Sequence, residues 1–88
     1  MTKVELILKS PQFKQFKQLA LQRLYEKEQY PIIGKDAIMR HLVRKFAELY
    51  LEYHHRNDRA LKKEAVDLAN MCMILFMVLD GFEGEGYE

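Results

Sequence analysis

The sequence predicts an all-α fold: three main helices packed as a bundle that assembles as a dimer or tetramer. Three observations carry the fold class. Apolar residues recur at helical spacing through three segments. Polar or helix-breaking clusters separate those segments, at Ser10-Pro11, at Tyr30-Pro31-Ile32-Ile33-Gly34 and at His54-His55-Arg56-Asn57-Asp58. The last segment ends in an almost uninterrupted apolar run from Met71 to Leu79, and a helix that is apolar all round must be covered on every side.

The elements follow in chain order. Val4 to Lys9 fits a short helical turn or an extended arm equally well. Ser10-Pro11 starts the first main helix, because serine caps free N–H groups and proline is tolerated in the first turn. Phe13, Phe16, Leu19, Ala20, Leu24 and Tyr25 form its apolar side, with Lys14, Lys17, Gln18 and Lys27 opposite, and it should run to about Glu28. The Tyr30–Gly34 connection interrupts it, since a residue before proline disfavours helix. A second helix should begin near Asp36. Its apolar face reads Met39, Leu42, Val43, Phe46, Leu49, Tyr50 and Tyr53, and its polar face His41, Arg44, Lys45, Glu48, Glu52 and His55. Asn57 or Asp58 then caps a third helix, from about Arg59 to Asp80, with Gly81 as its stop. One side of that helix should meet the other helices and the other side a second copy of the chain.

Eighty-eight residues make one domain, residues 1–81, followed by an acidic, glycine-rich tail over residues 82–88 that we expect to be flexible. A domain this small buries only about 60% of its unfolded surface, yet 49% of its residues are hydrophobic, which again points to oligomerisation. The formal charge of +1 gives no global field for nucleic acid or an anionic membrane. The single cysteine, Cys72, forms no internal disulfide, suits a reducing compartment and reads as a buried core thiol. Leu6-Ile7-Leu8 is too short for a signal peptide, and the Met71–Leu79 run falls below the roughly 20 residues that span a bilayer. The expectation is a soluble, cytoplasmic protein.

The chemistry-bearing residues cluster on the last two helices. Glu64 and Asp67 stand three apart, which puts both carboxylates on one helix face. Glu48 and Glu52 lie one turn apart on the preceding helix. A short turn makes the two helices antiparallel and brings Glu48 or Glu52 near Glu64 and Asp67. Asn70 adds a polar group where the apolar face should already have begun. Acidic groups beside a buried helix need a neutralising charge, and a metal ion, a neighbouring lysine or water could supply it. Hard oxygen donors from two helices suit Mg²⁺ or Mn²⁺. His41, His54 and His55 read as solvated, with no second pair at one-turn spacing. Arg56, Arg59, Lys62 and Lys63 either steer an anionic ligand to the cluster or form an ordinary solvated face.

The stretch Glu64-Ala65-Val66-Asp67-Leu68-Ala69-Asn70, followed by Met71-Cys72-Met73-Ile74, resembles the second half of the motif of the MazG-like nucleotide pyrophosphohydrolases. That all-α superfamily includes the dimeric dUTPases and the dCTP pyrophosphatases, and its pattern is E-E-x-x-E on one helix, then E-x-x-D on the next. Phe46-Ala47-Glu48-Leu49 resembles the end of the first half, and the likeness covers roughly Ile38 to Leu79. The resemblance implies a helical dimer or tetramer that holds Mg²⁺ between carboxylates and hydrolyses a nucleoside triphosphate to monophosphate and pyrophosphate. Glu48 matches the last glutamate of the first motif, and Glu64 and Asp67 match E-x-x-D. Asn70 matches the asparagine of phage-type members. The chain departs from the pattern at the two leading glutamates, which fall on Arg44 and Lys45. Lys45, three before Glu48, puts an ammonium where the family has a ligand.

Three functional expectations follow. The first is a Mg²⁺- or Mn²⁺-dependent pyrophosphohydrolase with Glu48, Glu64 and Asp67 as catalytic metal ligands, and Asn70 and Lys63 toward a nucleoside triphosphate. The second is a non-catalytic MazG-like homodimer or homotetramer, serving as a protein-interaction or regulatory module with Lys45 in the metal position. The third, weaker, is nucleic-acid binding by the basic residues of the first two helices.

Overall fold

The computed structural model describes residues 1–26 and 34–82. The end of the first predicted main helix, the connection through Ile33 and the tail from Glu83 lie outside them. The described residues form four helices: α1 (Lys3–Lys9), α2 (Pro11–Glu26), α3 (Lys35–His54) and α4 (Asp58–Leu79). The three long ones are those read from the sequence. The fourth settles the open N-terminal segment as a short helix capped by Thr2, whose Oγ1 accepts from the Glu5 N–H at 3.1 Å.

Ser10 both ends α1 and starts α2. Its hydroxyl donates to the Ile7 carbonyl at 2.7 Å and accepts from the Phe13 N–H at 3.0 Å, satisfying one orphan group on each helix. Asn57 caps α4 by accepting from the Ala60 N–H at 3.2 Å. The turn before it is a Schellman closure: Asn57 N–H returns to the Glu52 carbonyl at 3.3 Å. That closure puts Arg56 in the left-handed region, at φ 55°, where glycine is usual. The same closure ends α4, with Phe82 N–H on the Met77 carbonyl at 2.9 Å and Gly81 at φ 92°.

Helix α4 lies in the middle. Helices α2 and α3 each pack on it but not on one another, and α1 packs only on α2. The core is correspondingly small. Ile38, Met71 and Ile74 are buried together, with Leu42, Leu75 and Val78 packed against them. The chain exposes 7297 Å². A compact monomer of 10.5 kDa exposes about 5,400 Å², so roughly 1,900 Å² is in excess. The radius of gyration, 14.6 Å, likewise exceeds the about 12 Å of a compact domain this long. No helix among the described residues is long and apolar enough to cross a membrane.

Two expectations need correction. Cys72 is exposed, not buried. With α2 and α3 flanking α4, no other described element covers the third side of α4, and Cys72 lies there beside exposed Phe76 and Leu79. The apolar face assigned to α3 is in fact two faces. Ile38 and Leu42 turn toward α4, whereas Met39, Val43, Phe46, Tyr50 and Tyr53 remain exposed. A single packed neighbour covers only part of an apolar arc that wide.

Candidate functional site

The antiparallel α3–α4 pair brings Glu48, Glu64 and Asp67 together, and Lys45 comes with them. From α3, Lys45 Nζ donates to Glu48 Oε2 at 3.2 Å and lies 3.9 Å from Glu64 Oε2 and 4.0 Å from Asp67 Oδ2. One ammonium therefore sits among three carboxylates from two helices.

A second cation enters from α2. Arg23 grips Asp67 with two nearly parallel hydrogen bonds, Nε to Oδ1 at 3.0 Å and Nη2 to Oδ2 at 2.8 Å. Its remaining arm reaches Glu26 at 3.3 Å. Asp67 is only 1% exposed, so a bidentate, charge-assisted pair is what keeps its charge tolerable inside the fold. The acidic pattern of the sequence gives Arg23 no role. Yet Arg23 lies four residues after Leu19 and three after Ala20, both half-buried, on the inward side of α2. An arginine in an apolar stripe calls for a buried anion, and that was the available signal.

Glu64 is the least satisfied member. Its Oε2 is buried and accepts no hydrogen bond. Loss of hydration pushes its carboxyl above the usual 4.5. Lys45 pulls the other way but is outweighed, because the charges of Glu48 and Asp67 add to the upward push. The Glu48 carboxyl can bond to Glu64 only through a shared proton, which raises Glu64 further.

The other candidates are placed as follows. Asn70 is buried, and its Nδ2 donates to the Ala20 carbonyl at 3.0 Å, tying α4 to α2. Lys63 is exposed, one turn before Asp67 on the same helix. Glu52 is half-buried, and no ion pair links it to the cluster among the described residues. His41 is half-buried, and exposed His54 stands edge-on to Tyr50 with ring centroids 4.5 Å apart.

The donor set can be tested against a divalent cation. Mg²⁺ needs oxygen ligands at about 2.0–2.1 Å in octahedral array. Both oxygens of Asp67 are engaged by Arg23, and Lys45 Nζ occupies the space between Asp67, Glu64 and Glu48. Among the described residues no group of three or more His, Cys, Asp or Glu side chains is arranged to hold a metal ion. As folded, these residues do not fit Mg²⁺ unless Lys45 leaves. What the arrangement does is neutralise: two cations from α2 and α3 lock onto carboxylates of α3 and α4. No family model, curated protein or solved structure matches the chain.

Proposed function

We propose that this chain is a non-catalytic helical module that self-associates and serves as a protein-interaction or regulatory unit, on a scaffold like that of the MazG-like pyrophosphohydrolases. One observation carries the reading: Lys45 Nζ lies within 4.0 Å of all three carboxylates that would hold a metal. The cluster then holds three helices in register and leaves nothing for a phosphate-bridging cation to do. The large exposed surface supports the self-associating half of the reading. The site of contact expected from the sequence, the end of α4, offers exposed Phe76 and Leu79.

A second reading, Mg²⁺-dependent pyrophosphohydrolysis, draws support from the bare Oε2 of Glu64, a buried acceptor without a donor. In that reading Lys45 swings to solvent, Glu48, Glu64 and Asp67 take the metal, and Asn70 and Lys63 face a nucleoside triphosphate. The experiment is pyrophosphate release from the common ribo- and deoxyribonucleoside triphosphates with Mg²⁺ or Mn²⁺. We expect no release above the protein-free rate. Turnover that disappears in Glu64→Gln overturns the first reading in favour of the second.

A further inference from the structure

Met39, Val43, Phe46, Tyr50 and Tyr53 are spaced four, three, four and three residues apart along α3. That alternation is the a/d seam of a coiled coil. All five are 46 to 66% exposed, while Ile38 and Leu42, one position before Met39 and Val43, face α4 instead. Helix α3 therefore carries a second apolar stripe, about 21 Å long, that no part of the described chain covers.

We propose that this stripe is a seam for a second copy of the chain, with the two α3 helices antiparallel and crossing near Phe46. Three features point to a copy rather than a different partner. The stripe is close to symmetric about Phe46: Met39 and Tyr53 lie seven residues to either side, Val43 three before and Tyr50 four after. A twofold contact pairs a patch with itself, so such a stripe buries each residue against its counterpart. No charged residue interrupts the seam between Met39 and Tyr53. The exposed area leaves room for it: a standard interface covers about 800 Å² per partner, less than the roughly 1,900 Å² by which the chain's surface exceeds that of a compact monomer. Exposed apolar residues of α1, α2 and the end of α4 share in that excess with the α3 stripe. A groove of Phe46, Leu49, Tyr50 and Tyr53 against Leu61 of α4 shows that the stripe continues onto the neighbouring helix. Counted at about 100° per residue, the stripe is centred about 120° around α3 from Lys45, so the seam and the acidic cluster occupy different faces.

This inference rests on the self-association proposed above, and its test separates the two. Sedimentation equilibrium should show the wild type as a dimer or larger at about 100 µM, well above a micromolar dissociation constant. Val43→Glu/Tyr50→Glu should weaken association by about 100-fold or more while far-UV circular dichroism stays helical. Leu51→Glu, at an equally exposed apolar position of α3 off the stripe, should leave the mass unchanged. In a Cys72→Ser background, Phe46→Cys should oxidise to a covalent dimer. Tyr53→Cys alone should not, but mixed with Met39→Cys it should. An oligomer indifferent to the double charge but broken by Phe76→Lys removes the α3 seam and leaves self-association standing. A wild type that is monomeric at that concentration removes both. Self-linking of Tyr53→Cys overturns the antiparallel arrangement.

Discussion

Arg23→Met is the sharpest perturbation of the cluster. It keeps most of the side-chain volume and removes both hydrogen bonds to Asp67, which are 3.0 and 2.8 Å long. Asp67 is then a carboxylate 1% exposed, and Lys45 at 4.0 Å is the other cation that the described residues bring to it. Breaking a buried ion pair from one side costs about 3–5 kcal/mol, because the other charge stays behind. Lys45 can close in, which places the cost near the lower end, about 3 kcal/mol. A domain of this length has about 4–13 kcal/mol in all, so the loss is a large fraction of it. Urea denaturation followed by circular dichroism, at one fixed protein concentration because oligomers stabilise by mass action, reads the change directly. With a slope near 1–1.5 kcal/mol per molar, the midpoint should fall by about 2–3 M. Arg23→Met/Asp67→Asn removes the buried charge as well and should recover about 1 kcal/mol or more of that loss. Unfolding of Arg23→Met within about 0.5 kcal/mol of wild type, or a double variant no better than the single, would contradict a buried ion pair of this strength.

Other outcomes follow from neighbouring contacts. Glu64 has its carboxyl raised in the fold, so the native state binds its proton more tightly than the unfolded chain does. Its contribution to stability therefore declines as pH climbs above 4.5 through the raised folded value, and is regained on acidification. Glu64→Gln should accordingly raise the urea midpoint at pH 7, with the advantage shrinking toward pH 5; a lower midpoint at pH 7 contradicts this. Asn70→Ala removes the side-chain bond to the Ala20 carbonyl, which keeps its partner within α2, and should cost about 0.5–1.5 kcal/mol, read from the same urea curves. Asn57→Ala removes the α4 cap and should cost about 1 kcal/mol, with faster amide hydrogen exchange confined to the first turn of α4.

Much of the fold was legible because its punctuation is local. Ser10, Asn57 and Gly81 act within a few residues of themselves, through bonds a sequence pattern encodes directly. The acidic convergence was legible too, since spacing on each helix and a short turn fix it. The partners of those acids were less so. Lys45 was read as a possible occupant from its place in the motif, but Arg23 reaches Asp67 across 44 residues, and only its place in an apolar stripe hinted at that. Asn70 was assigned to a ligand, whereas its amide holds the backbone of α2. Apolar periodicity says which residues avoid water without saying what covers them. That is why the two faces of α3 merged into one in the sequence, and why Cys72 was placed inside.

The most direct measurement is the thermal unfolding midpoint against MgCl₂ and MnCl₂ concentration, at constant ionic strength, for wild type and Glu64→Gln. A ligand that binds only the folded state stabilises it in a saturable way. With Arg23 and Lys45 already seated on the carboxylates, we expect a flat midpoint in both proteins. A saturable rise in wild type that is lost in Glu64→Gln would show that a metal displaces Lys45, and would contradict the claim that the chain's own cations fill this cluster.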